Sequence, residues 1–469
     1  MFQNFKILSG YDNRGVVYDN SEHILREINS EFLNYTLEVY NLYKKFELYK
    51  YNIVQTEHVF LNNKNFLKHE KYTISYPCEW SANMFKNAVV LHLELFLKLD
   101  EYGLTLKDAM PNNIVFDFTK PVFIDFLSIL KIEDLKYENW FSSITNASNN
   151  ISRVTVFEKM FFSFILIPFV LFGRKNYMQA REMLSDRACN VIGCKMPTWH
   201  DLFIKSKNQS LFNIYLENFK IYKIYKFKSK NKFLNFCKKN LEFVKSINVT
   251  PNKSDYLLYY ENKKENFSFQ DYDSWKNKQK NVFKILKNLK PKTVLDLGAN
   301  SGWFSILAEK NGSQVISTDI DESCVDDLYI YSKKNNLNIL SLLLSFKDLS
   351  KQIYGIENKV LFLKAQDRFQ SDLVLCLALF HHLTLGEGMG IDKIFEILSI
   401  LSLKTLVLEF INLEDNLIKN EPTFFKNLNK YSTVEYNLDN VIKIGLKFFK
   451  SFDVLDSHPD TRKLIVFNK

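Results

Sequence analysis

Two kinds of hydrophobic pattern divide the chain. Up to about residue 130 short apolar runs alternate with turns. Phe5–Leu8, Gly15–Tyr18 and Ile24–Ile28 read as extended segments around an Asp-Asn-Ser turn. Apolar positions 32, 33, 35, 37, 39, 40, 42 and 43 then predict an amphipathic helix over 31–50. A second helix is predicted over 80–102, with a wide apolar face and Gly103 as its stop. Short strands follow at Ile114–Phe116 and Val122–Ile124, and residues 151–245 are mostly helical by pattern. Asn248–Asp273 loses periodicity and reads as a connection. After Pro291 strand and helix alternate: Thr293–Asp296, Ser301–Lys310, Gln314–Thr318, Glu322–Asn335, Ile339–Leu344, Asp372–Leu377 and Leu403–Phe410. Such alternation predicts a parallel sheet covered by helices on both faces. The expected organisation is an α+β domain over 1–247, a linker over 248–275 and a Rossmann-like, doubly wound α/β domain over 276–469. No internal repeat is legible.

The first of these later strands runs into Asp296-Leu-Gly298-Ala-Asn300-Ser-Gly302 and then a helix start. Glycines there let a flat ligand lie against the backbone, because they carry no Cβ. In an open α/β sheet that turn stands at the carboxyl edge, where ligands collect. The spacing D-x-G-x-N-x-G departs from the dinucleotide fingerprint G-x-G-x-x-G. The next strand ends in Asp319, 23 residues after Asp296, where a carboxylate can accept hydrogen bonds from both hydroxyls of a ribose. A third strand, beginning at Asp372, runs straight into His381-His382.

Together these pieces resemble the class I S-adenosylmethionine methyltransferases. The resemblance implies that Asp296, Gly298, Asn300 and Gly302 surround the methionine part of the cofactor and that Asp319 holds its ribose. It makes Ser345 to Asp348 candidates to flank the adenine, although Leu344-Ser-Phe-Lys-Asp348 lacks the acid and small residue common there. Asp372 joins Ser345 and Asp348 among the cofactor candidates. Methyl transfer is an in-line displacement in which alignment supplies much of the catalysis. A hydroxyl acceptor also needs a base. His381, His382 and Glu409 are the candidates for it.

The first half holds a second pattern. Asp108, Asn113 five residues on, two short strands and Asp125 twelve residues after the Asn reproduce a kinase catalytic segment. There the first Asp takes the substrate hydroxyl proton, and the Asn and second Asp hold Mg²⁺ on the nucleotide phosphates. The stretch resembles protein-kinase-like phosphotransferases, including aminoglycoside kinases, which implies ATP and Mg²⁺ as ligands. It departs from them where Leu106-Lys107 replaces the usual His. Ser9–Gly15 is a faint phosphate loop, and Arg26 stands where a lysine is expected. Arg is a poor substitute for a compact cation reaching between phosphates. Ser75–Ser81, Gly103–Ala109, Pro121–Asp125 and Leu377–Leu383 together look like the nodulation-protein (NoeA-like) bacterial methyltransferases over nearly the whole chain. That resemblance suggests a saccharide or small hydroxylated acceptor.

Composition adds little beyond this. Hydrophobic residues at 46% and charged residues at 25% are ordinary globular values. The net charge of +9 accompanies abundant Lys, Asn, Phe, Ile and Tyr, the residues of AT-rich codons. The densest basic stretch, Phe219–Lys245, has nine Lys against one Glu and reads as solvated helix faces, so no nucleic-acid partner is expected. The run Met160–Leu171 is too short to span a bilayer and reads as a buried helix. The amino-terminal residues lack a secretory pattern. Six cysteines without a CxxC fit reduced thiols in a cytoplasmic protein, with no metal site. Nothing in the pattern marks an oligomeric state. The leading expectation is a methyltransferase acting on oxygen in preference to nitrogen, its first domain binding acceptor or regulator. The alternatives are a bifunctional protein with an active phosphotransferase at Asp108, Asn113 and Asp125, and a ligand-binding protein without turnover.

Overall fold

The structure is a computed structural model describing residues 6–9, 14–20, 22–137, 153–156, 161, 164–185, 230–258, 268–354, 360–424 and 436–469. Gly10–Asn13 of the faint phosphate loop, Cys189, Cys194 and 219–229 of the basic stretch lie outside these. The chain divides into two compact units, 1–78 with 82–250 and 251–469 with 79–81.

The first unit opens on an antiparallel sheet. Strands β1 (Lys6–Ser9), β2 (Val17–Asp19), β3 (Ile24–Glu27), β4 (Thr56–Leu61) and β5 (Lys64–His69) lie in the order β1-β2-β3-β5-β4. Helix α1 (Leu33–Lys45) connects β3 to β4. The β4-β5 hairpin was not expected from hydrophobic alternation. Its signal is Asn62-Asn63 at the turn, with φ of 49° and 60°, the left-handed pair that a tight hairpin demands. Helix α2 (Ala82–Asp100) buries Met84, Phe85, Val89, Leu93, Phe96 and Leu99. It stops short of Gly103, which takes φ +72°. Two ribbons follow: β6 (Leu104–Leu106) pairs with β9 (Ile129–Lys131), and β7 (Ile114–Asp117) with β8 (Lys120–Phe123). The described part of the apolar run 160–171 is buried and is α-helical from Ile167. In the helix Lys230–Ser246 the phenylalanines at 233, 236 and 243 are buried while Lys238, Lys239 and Lys245 are exposed. This is an α+β unit.

The second unit holds a seven-stranded sheet. Its strands are β10 (Thr293–Leu297), β11 (Gln314–Asp319), β12 (Ile339–Leu343), β15 (Ser371–Cys376), β16 (Ser402–Ile411), β17 (Ser451–Asp456) and β18 (Arg462–Asn468). A small ribbon of β13 (Ile353–Tyr354) and β14 (Val360–Phe362) stands apart. The order is β12-β11-β10-β15-β16-β18-β17. The first five strands are parallel, as expected. β18 runs antiparallel to both neighbours, so the sheet is not wholly parallel. The terminal pair escaped the strand-helix pattern because β17 is an edge strand whose Phe452 and Val454 remain exposed. From β10 the chain winds outward to β12, then crosses back to β15 on the other side of β10. That reversal opens a crevice at the carboxyl ends of β10 and β15. A core of Val294, Val315, Leu373, Leu375 and Val407 from the strands, with Val282, Leu286 and Leu307 from the helices, holds the sheet beneath it. The second unit is an α/β fold built on a mostly parallel sheet.

Candidate functional site

The β10 turn is built from backbone that bends where only certain residues go. Gly298, Asn300 and Gly302 take φ of +66°, +55° and +79°. A Cβ on Gly302 would lie 2.5 Å from the Leu328 side chain, so no other residue fits without displacing that leucine. The N–H groups of Gly298 and Ala299 donate to Thr318 O at 2.8 and 3.0 Å, tying the turn to the end of β11. Asn300 N donates to Asp319 Oδ2 at 2.7 Å and Asp321 N to Asp319 Oδ1 at 2.9 Å. Each oxygen has a second lone pair, so the carboxylate can still receive two hydroxyls. Burial raises the Asp319 pKa. Behind the turn, Asp296 is buried and accepts from Ser305 Oγ at 2.7 Å. Burial pushes its carboxyl up to about 6.

Ser345 follows β12 on the same edge, where Leu344 N donates to Asp319 O at 2.9 Å. Its side chain accepts from Lys347 N, and Asp348 at the end of that short turn is exposed. Ile320 was not singled out from sequence. It directly follows Asp319 and is 67% exposed. An apolar residue between two acids at a strand end is the signal that could have marked it. The glycine cradle, the ribose-competent carboxylate and this apolar surface fit a cofactor with a nucleoside and an amino-acid part.

Asp372 is corrected by the geometry. It lies at the amino end of β15, where it accepts from Lys292 N at 3.0 Å and pairs with Lys404 Nζ at 2.9 Å. Sequence placed it correctly at the start of the strand, and that end lies away from the carboxyl edge that carries the turn and Asp319.

Beyond β15, Ala378 takes φ +52° and Leu379 packs over Gly298. Strained backbone of this kind gathers at functional sites. His381 and His382 follow, their ring centroids 4.1 Å apart, and a π-helical turn spans His382–Gly386. Phe424 stands edge-on to both rings, with centroids 5.4 and 5.3 Å away. His381 is fully buried, and neither ring nitrogen has a hydrogen-bond partner among the described residues. Burial, reinforced by the neighbouring His382, holds its pKa well below the ordinary value. His382 is half-buried, and burial lowers its pKa too.

Glu409 is on the same edge but is fully engaged. It is wholly buried and accepts from Lys278 Nζ at 2.7 Å and Ser457 Oγ at 2.6 Å. Both of its oxygens are thus occupied by partners within the fold. Lys278 itself lies over the Phe304 ring, 5.3 Å from its centroid.

In the first unit the kinase-like residues converge. Asn113 Nδ2 donates to Asp108 Oδ1, and Ile124 N donates to Asn113 O at 2.8 Å, which brings the Asp125 segment alongside. Burial and the nearby Asp125 charge raise the Asp108 carboxyl to about 7. Arg26 on β3 pairs with Asp125, Nη1 to Oδ1 at 2.7 Å. Among the described residues no group of three or more His, Cys, Asp or Glu is arranged to hold a metal ion.

A family model described as tellurite resistance protein TehB matches residues 260–374. The nodulation protein NoeA of Rhizobium meliloti (strain 1021) is 26% identical over 363 residues, 74% of this chain and 70% of NoeA. Among solved structures, the bifunctional kinase-methyltransferase WbdD is 15% identical over 40% of this chain, with a TM-score of 0.29. The match spans 39% of the WbdD chain. The PH0226 protein from Pyrococcus horikoshii OT3 is 17% identical over 46% of this chain and 99% of its own, with a TM-score of 0.31. The chain is thus similar to NoeA over most of its length, and the match to the TehB family lies within its second unit.

Proposed function

We propose that this protein transfers a methyl group from S-adenosylmethionine to a hydroxyl oxygen of a small or saccharide-linked acceptor. The observation that carries the proposal is the bond from Asn300 N to Asp319 Oδ2, which locks the glycine turn against a ribose-competent carboxylate. When bound, S-adenosylmethionine supplies an electrophilic methyl on a sulfonium sulfur. The chain's own part is to align and to accept a proton. Gly298 and Gly302 let the ligand approach the backbone, Asp319 fixes the sugar, and the buried β15 end excludes water. The acceptor's hydroxyl proton passes to the histidine pair. His382 is the accessible ring, and the buried His381 packs behind it as a neutral partner. A neutral imidazole keeps one nitrogen able to take that proton.

The first unit binds acceptor or a regulatory ligand in this reading. Arg26 supplies to Asp125 the positive charge a divalent cation would supply, which favours binding over phosphoryl transfer. The protein is incubated with methyl-labelled S-adenosylmethionine and a fractionated saccharide and metabolite extract. Label is expected on a hydroxylated compound with wild type and lost with His382→Gln. Label on a compound without hydroxyl groups would overturn the acceptor class.

A further inference from the structure

Residues 251–258, read from sequence as part of a connection, are fastened to the cofactor edge. Ser254 Oγ lies 2.9 Å from Ser323 Oγ, and Ser254 N donates to the same Ser323 oxygen at 3.2 Å. Leu257 N donates back to Ser254 Oγ at 3.1 Å, which closes a short turn around Tyr256. The Tyr256 carbonyl then accepts from Asn300 Nδ2 at 2.8 Å. Asn300 is thus used three times: its backbone N–H on Asp319, its Oδ1 on Ser301 N at 2.6 Å, and its Nδ2 on Tyr256 O. Its left-handed φ of +55° is a conformation Asn tolerates better than most residues.

The segment therefore meets the candidate ribose site through one residue. Two large side chains with apolar surface are exposed on these segments: Tyr256, 56% exposed, whose carbonyl is bound by Asn300, and Ile320, 67% exposed, which directly follows Asp319. Aromatic and aliphatic surface left in water next to a sugar-binding carboxylate is what a flat heteroaromatic base covers on binding. We infer that Tyr256 contributes an aromatic contact to the purine base of the cofactor, with Ile320 as a second apolar contact. Tyr256 is then a binding residue of the methyltransferase site, carried on the segment ahead of the fold. The inference rests on the cofactor assignment proposed above.

The test is calorimetric titration of the full chain with S-adenosylhomocysteine and with 5′-methylthioadenosine, which keeps the nucleoside but lacks the amino acid. Tyr256→Ala is expected to weaken both by about tenfold, since stacking on an aromatic is worth a factor of this order. Tyr256→Phe keeps the ring and is expected to bind both within about twofold of wild type. Tyr256 is exposed, and an unchanged melting temperature confirms that each variant is folded. If wild type binds S-adenosylhomocysteine and Tyr256→Ala binds both ligands equally well, the contact is overturned alone. Loss confined to S-adenosylhomocysteine would also overturn it, by placing Tyr256 at the amino-acid part. If wild type binds neither ligand, the cofactor assignment fails and the contact falls with it.

Discussion

Arg26 Nη1 lies 2.7 Å from Asp125 Oδ1, with both side chains largely shielded from water. The residue that stands in place of a catalytic lysine therefore neutralises the carboxylate expected to hold Mg²⁺. The pair makes the kinase-like centre self-satisfied. Addition of Mg-ATP is expected to shift the melting temperature by less than a degree, because a ligand stabilises only in proportion to its binding. Asp125→Asn removes the carboxylate paired with Arg26 and is expected to cost about 2–4 kcal/mol in urea unfolding. A shift of several degrees with Mg-ATP, abolished by Asp125→Asn, would contradict this and favour the phosphotransferase reading instead.

Lys278 and Glu409 form a second shielded pair, beneath the methyltransferase site. Glu409→Gln leaves the ammonium without its counter-charge, and about 3 kcal/mol of stability is expected to go. Lys278→Met with Glu409→Leu removes both charges and is expected to recover most of that loss. A double loss equal to the sum of the losses of Lys278→Met and Glu409→Leu alone would show that the pair is not coupled.

Asp296 makes stability depend on pH. Its folded pKa of about 6 lies above the ordinary 3.8, so burial favours the protonated form. Its stabilising contribution is whole below 3.8 and is lost as pH rises through about 6. The full difference is on the order of 3 kcal/mol. Asp296→Asn keeps an acceptor for Ser305 and is expected to stabilise the ligand-free protein by about 1–3 kcal/mol at pH 8, with little effect at pH 4. Denaturant titrations at the two pH values read this directly. A variant less stable at both would contradict it.

In the proposed reaction the histidine pair sets the acid limit of turnover. Burial lowers both pKa values, so both rings stay neutral below the ordinary 6.5. The rate is expected to be flat through neutral pH and to fall only at more acid pH, as protonation removes the acceptor nitrogen. His382→Gln is expected to lower kcat by about 10²–10⁴-fold with little change in cofactor affinity. A limb centred at 6.5 or above in wild type would assign the proton to another group.

The parallel half of the second sheet was legible because strand-helix alternation is periodic, and the turn from Asp296 to Gly302 because its glycines answer to backbone geometry. Asp319 and the histidine pair were placed by their strands. What spacing could not supply was which end of a strand faces the site or what a side chain already holds. Asp372 starts β15 and so lies at the edge away from the other cofactor candidates, and Glu409 is paired with Lys278 from a helix 131 positions earlier. The Arg26–Asp125 pair joins residues 99 apart, a relation no local pattern carries. Tyr256 and Ile320 went unread for the opposite reason: their neighbourhoods are polar and aperiodic, and their exposure is a property of the folded edge. The hairpin at Asn62-Asn63 had a local signal, but its polar strands concealed the alternation.

The most direct test of the methyltransferase assignment is titration of the full chain with S-adenosylhomocysteine, followed by the same titration of Asp319→Ala. Saturable one-to-one binding by wild type is predicted, weakened at least tenfold when the Asp319 carboxylate is removed. Absence of binding by wild type, or equal affinity in the two proteins, would contradict it.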